Sequence, residues 1–175
     1  AGVQFAIGIG GFIGSVVLTV WGGPKRRIHG LLMGTVLMCL GKVILGLATK
    51  PLVWMIASFL TGFFSPAIDS SNQAIWLSKV EPDVQGRVFA SRFLIAQITT
   101  PIGLAMGGPL ADYVFEPLMR INSSRDGILS NLFGSGFGTG MAMQFTLLSL
   151  CGVLIGLAGY LFPMLRNVEK ILVDH

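Results

Sequence analysis

The chain has 175 residues, 53% of them hydrophobic and 11% charged, with a formal net charge of +4. An ordinary soluble domain carries roughly 25% charged residues, so the composition excludes a typical soluble fold. The basic excess sits in short loops between apolar runs, which marks orientation in a membrane and gives no support to a nucleic-acid partner.

Apolar runs of about 20 residues recur, each long enough to cross a hydrocarbon core of roughly 30 Å as a helix. They do not alternate apolar and polar residues as the strands of a membrane barrel would. The fold class expected is therefore an all-α membrane protein with five transmembrane helices. The chain opens on Ala1-Gly2-Val3, already apolar and without a charged leader. It reads as a stretch whose start lies further upstream, and not as a signal peptide.

In chain order the spans expected are 1–21, 30–48, 52–78, 86–113 and 140–165. An outer polar, glycine-rich loop occupies 114–139 and a polar tail 166–175. The first span is rich in glycine, and Gly10 and Gly14 form a GxxxG pair. The same spacing recurs at Gly30/Gly34, Gly103/Gly107 and Gly152/Gly156. Small residues four apart let another helix approach closely, which is how packing is gained in lipid. Ordinary bundle packing is the reading adopted for these pairs.

Lys25, Arg26 and Arg27 follow the first span, and Lys79, Arg87, Arg166 and Lys170 fall on the same side when the spans alternate. Lys50, Arg120 and Arg125 fall on the other. This bias places the C-terminus in the cytoplasm of a multi-pass inner or plasma membrane protein. Lys42 lies about six residues from a span end and is read as snorkelling to the interface. Arg92 is read the same way, or as pairing with an acidic loop residue.

The third span carries the most unusual residues. Asp69, Asn72, Gln73 and Trp76 are spaced i, i+3, i+4, i+7 and share one helix face. Asp69 lies nine residues before Ser78, which puts it roughly 13 Å from the helix end by the helical rise, close to the midplane. A carboxylate facing lipid there costs on the order of 2.5–3.5 kcal/mol. Pro66 removes a backbone donor one turn earlier and invites a kink. Two readings stand side by side: a lining of a substrate or ion path, and an interhelical hydrogen-bonded clamp. Gln97, Thr99, Thr100 and Pro101 form a second polar, kink-prone patch in the fourth span.

Chemistry of other kinds finds little footing. His29 and His175 stand apart from any ligand set, so no metal is expected. Cys39 and Cys151 lie in apolar runs with no CxxC and are read as small core residues. The glycine clusters complete no dinucleotide fingerprint, and no cofactor is expected. No intramembrane nucleophile with its base and no HExxH is present, so an enzyme is not expected. Asn122-Ser123-Ser124 fits a glycosylation sequon, a pattern common by chance.

Three segments carry a resemblance. The turn GGPKRRIHG resembles the cytoplasmic loop between the eighth and ninth helices of major facilitator superfamily transporters. Asn72-Gln73 followed by VEPDVQGRVFASR resembles the tenth-to-eleventh helix junction of the efflux branch that includes macrolide-efflux-like and enterobactin-exporter-like proteins. GGPLADYVFEPLM resembles the outer end of that branch's eleventh helix. The resemblance implies the last five helices of a twelve-helix, two-half carrier. It implies alternating access with small-molecule substrate held between halves, proton-driven export, and the preceding helices of the same protein as partners besides the lipid bilayer. Under it, Asp69, Asn72, Gln73, Trp76 and Gln97 are candidates for the translocation path. Glu81, Asp83 and Arg87 would order the cytoplasmic turn. The superfamily's basic loop carries an aspartate just before its cations, where this chain has Trp21-Gly22-Gly23. Lys25, Arg26 and Arg27 are accordingly assigned to orientation before gating.

Overall fold

A computed structural model describes residues 2–24, 26–123, 133 and 138–162, with 121–123 described as backbone. Lys25, the stretches 124–132 and 134–137, and the tail from 163 onward lie outside the described residues, and with them the side chain of Asn122, Arg125, Arg166, Lys170 and His175.

The described chain is helical, and five of its helices are long and apolar enough to cross a membrane. They are α1 (Gly2–Trp21), α2 (Arg27–Leu47), α3 (Pro51–Lys79), α4 (Pro82–Leu110) and, after further segments, α6 (Thr139–Leu161). Between α4 and α6 lie a π-helical turn, Ala111–Phe115, and a short helix α5, Glu116–Ser123. The chain forms two compact units. The first holds α1, α2, α3 and most of α6; the second holds α4, the π turn, α5 and the first turn of α6.

The element boundaries correct the sequence expectation in three places. Helix α2 starts at Arg27 rather than residue 30, directly after an extended Arg26 (φ −108, ψ 113). Helix α4 starts at Pro82 rather than residue 86. Proline at the first helical position forfeits no hydrogen bond, and Asp83 in the first turn suits the positive end of the helix dipole. The expected loop 114–139 is helical as far as Ser123. Pro109, which lacks an N–H, precedes the π turn, and the Ala111 N–H reaches both the Gly107 and Gly108 carbonyls. That shared bond marks where the ladder changes register.

Within the first unit, glycine fixes which helices touch. A Cβ on Gly10 would run into the Phe59 carbonyl, one on Gly14 into the Phe63 carbonyl, and one on Gly62 into the Ile7 carbonyl. Backbone therefore lies directly on backbone between α1 and α3, and the order of these contacts makes the two helices parallel. Helix α2 runs antiparallel on α3, with Gly34 against Ile68 and Gly41 against Thr61 and the Ala57 carbonyl. Helix α6 runs antiparallel on α2: Gly152 meets the Cys39 sulfur, Gly156 meets Val36 and Gly159 meets Leu32. His29 and Tyr160 stack at one end of that pair, with centroids 5.7 Å apart. The contacts give the sequence α1–α3–α2–α6 across the unit. Its buried residues are mostly small, with Ala6, Cys39, Ala57, Ser58 and Ser71 among them. Small-residue packing of this kind suits a lipid environment, where tight fit replaces hydrophobic exclusion.

The turn between α2 and α3 is held by a side chain. Trp54 Nε1 donates to the Ala48 carbonyl at 2.6 Å, satisfying one acceptor at the end of α2.

Candidate functional site

Polar side chains on α3 form the candidate site. Helix α3 is flanked by α1 along Phe59, Gly62 and Phe63, and by α2 along Ala57, Thr61 and Ile68. The remaining strip carries Ser58, Ser65, Asp69, Asn72, Gln73 and Trp76. At one end of the strip the flanking helices close over it, and Ser58 is fully buried. Further along, the strip opens: Asp69 and Gln73 are exposed, Asn72 is half-buried and Trp76 is 37% exposed. The opening lies beyond Pro66, which sits inside α3.

The Asp69 carboxylate accepts a hydrogen bond from Ser65 Oγ at 3.3 Å, one turn earlier on its own helix. That partner is local, on the carboxylate's own helix. Ser65 is a residue that the sequence reading passed over. An i, i+4 serine–aspartate pair in an apolar run was the available signal.

The packing of α1 on α3 gives the level of Asp69 relative to the end of α1. Gly10 of α1 lies level with Phe59, and Gly14 with Phe63. By the same register the end of α1 lies level with Ser70, and Leu18, Thr19 and Gly22 do share a cleft with Ser70 and Ser71. Asp69 is thus within about one turn of the α1–α2 connection. Helix α3 continues to Lys79, nine residues past the level of Trp21. Its last two turns overhang the neighbour. Measuring depth from Ser78 had assumed that α3 ends where α1 ends.

The other candidates are placed as follows. Gln97 is exposed on α4 in the second unit, beside Thr99 and Thr100, whose hydroxyls donate to the carbonyls of Ile95 and Ala96 one turn back. Gly103 and Gly107 on α4 have nothing within 4 Å of an added Cβ among the described residues, unlike Gly10 and Gly14. Glu81, Asp83 and Arg87 are all exposed. The turn they frame is closed by Gln85, whose Nε2 donates to the Val80 carbonyl at 2.9 Å. Arg92 lies over the Phe89 ring at 5.8 Å. Arg26 and Arg27 are exposed at the start of α2, Lys42 is half-buried, and Lys25 is outside the described residues. Cys39 is buried and Cys151 exposed, both as free thiols.

A row of close-packed apolar helices interrupted by one open polar strip defines a multi-pass helical membrane protein. Over 114 residues the chain is 25% identical to macrolide efflux protein A of Streptococcus pyogenes, and equally to the protein of that name from S. pyogenes serotype M6. The match covers 64% of this chain and 28% of each relative, so it spans little more than a quarter of the relatives' length. No family model and no solved structure matches the chain.

Proposed function

We propose that this chain belongs to a secondary exporter of small molecules, in which α3 and α4 contribute to the translocation path. The observation that carries the reading is the open polar strip Asp69, Asn72, Gln73 and Trp76 on an otherwise apolar helix. Intramembrane polar and ionisable groups that face a bundle interior or a water-filled cavity mark substrate or ion routes. The similarity to a macrolide efflux protein supports export as the direction. In this reading the strip belongs to the half of the path nearer the α1–α2 connection, where Asp69 would meet substrate or a proton.

In this reading the chain is the C-terminal part of a twelve-helix, two-half carrier of the major facilitator superfamily. It sits in the plasma membrane with the α1–α2 turn, the Glu81–Arg87 turn and the C-terminus in the cytoplasm. It is a carrier and not an enzyme, and its export is coupled to protons through alternating access. The rival reading, a structural subunit whose polar strip is a clamp, requires a partner on another helix for Asp69. Among the described residues the carboxylate's hydrogen bond comes from Ser65 on α3 itself.

Asp69→Asn and Gln73→Ala in the intact protein test the assignment. Accumulation of a fluorescent macrolide in a pump-deficient host, with and without a collapsed proton gradient, is the measurement. The expected result is a loss of efflux of about tenfold for Asp69→Asn, the scale of one charge-assisted contact. Unchanged efflux and unchanged proton dependence in both variants would remove these residues from the path.

A further inference from the structure

A cleft of about 270 Å³ opens in the first unit where α1, the α1–α2 turn, α2 and α3 meet. Its lining includes Thr19, Gly22, Gly23, Arg27, Ser70 and Ser71. It is separate from the Asp69–Trp76 strip in the residues that form it. We infer that it binds the phosphate group of an anionic headgroup.

Three observations carry this. First, the lining brings together a cation, Arg27, and the Ser71 hydroxyl beside Thr19, Ser70 and two consecutive glycines, the Gly22 N–H being given to the Leu18 carbonyl at 2.9 Å. No carboxylate is part of it. Gly22 and Gly23 both adopt φ of +77, a conformation that glycine alone takes at no cost. Second, Ser71 is 97% buried, its relative exposure being 3%, and it lines the cleft with no hydrogen-bond partner among the described residues. Gly30 leaves room for it, since a Cβ there would stand 2.5 Å from the Ser71 oxygen. The other two hydroxyls are already turned to their own helices: Thr19 Oγ1 donates to the Ser15 carbonyl at 2.8 Å and Ser70 Oγ to the Ala67 carbonyl at 3.3 Å. As acceptors they leave Ser71 and Arg27 as the free donors. Third, α1 is apolar enough to cross a membrane and ends at Trp21. The cleft at its end therefore lies at headgroup level, where basic pockets between spans hold anionic lipid. Guanidinium and hydroxyl together match a phosphate's planar pairs of oxygens. The inference rests on the helices crossing a membrane and is independent of transport.

The test uses the purified full-length protein in detergent micelles. Phosphatidylglycerol, phosphatidylcholine, glycerol phosphate and inorganic phosphate are titrated separately, with binding read by native mass spectrometry and thermal shift. Phosphatidylglycerol is expected to bind and raise the melting temperature, and phosphatidylcholine to do neither. If glycerol phosphate binds as tightly as the lipid, the cleft takes soluble phosphate instead of a membrane headgroup. Arg27→Gln is expected to weaken the phosphate ligand about tenfold, and Ser71→Ala about three- to fivefold, in line with hydrogen bonds to charged groups. Arg26→Gln, beside the cleft and outside its lining, is expected to keep the wild-type affinity. Equal losses for Arg26→Gln and Arg27→Gln would reduce the effect to surface charge and overturn the site. So would binding that survives both Arg27→Gln and Ser71→Ala in variants that remain monodisperse.

Discussion

Gly14 shows how much one missing methyl decides in this fold. A Cβ placed there falls on the Phe63 carbonyl, and backbone, unlike a flexible side chain, has no way to step aside. Gly14→Ala is expected to destabilise the α1–α3 pair by about 1–3 kcal/mol, the usual cost of overpacking. Gly8, in the same helix, has nothing within 4 Å of an added Cβ, and Gly8→Ala is expected to leave the melting temperature of the solubilised protein unchanged. Equal behaviour of the two variants would mean that α1 does not meet α3 in this register. Ser58 makes the opposite point. It is fully buried and its hydroxyl has no partner among the described residues, a situation that costs about 1–3 kcal/mol. Ser58→Ala is expected to raise the melting temperature, and a fall would reveal a water or ligand bonded to the hydroxyl. Gly14 was visible in the sequence as half of a GxxxG pair, because the spacing itself carries the packing. The solitude of the Ser58 hydroxyl was not visible, because it depends on what two other helices place opposite it.

Helix α3 marks the boundary between what a helix reveals alone and what its neighbours add. Its extent was legible within one residue at each end, since Pro51 opens it and the Lys79–Pro82 stretch closes it. The shared face of Asp69, Asn72, Gln73 and Trp76 was legible from spacing alone. The level of that face was not. Depth counted along one helix assumes a common end plane, and α3 runs nine residues past the level at which α1 ends. The register is settled by Gly10, Gly14 and Gly62 pressing on backbone, contacts that no single helix encodes. A cysteine pair tests it. In a background lacking Cys39 and Cys151, Thr19→Cys with Ser70→Cys is expected to cross-link rapidly with a short bifunctional reagent. Thr19→Cys with Leu77→Cys, the pair that a common end plane at Lys79 would join, is expected to remain uncoupled. The reverse pattern would return Asp69 to the midplane. The helical extension through the π turn into α5 was also missed, because Pro109 and the polar run after Phe115 read as the end of a helix, whereas the chain keeps its helix by changing register.

At the scale of the molecule, α4 is the element whose surroundings matter most. No residue of this 29-residue helix is buried, yet it is apolar enough to count among the five spans. An isolated span gains nothing from water on its apolar side, so each face must meet either lipid or protein. The helix has two unlike faces. Gln97, Thr100, Gly103 and Gly107 fall within about 120° of one another, by 100° per residue. Leu94, Ile98, Ile102 and Met106 fall on the opposite side, and all four are among the exposed large hydrophobics. Small and polar residues are what membrane helices present to one another, and bulky aliphatic ones are what they present to lipid. In the intact protein, then, single cysteines at 98 and 102 are expected to react with a lipid-phase probe. Cysteines at 97 and 103 are expected to resist it and to gain protection from a water-soluble reagent when substrate is added. Uniform labelling around the helix would leave α4 a peripheral span with lipid on every side. Gln97 would then drop out of the translocation path, and the path would be left to α3.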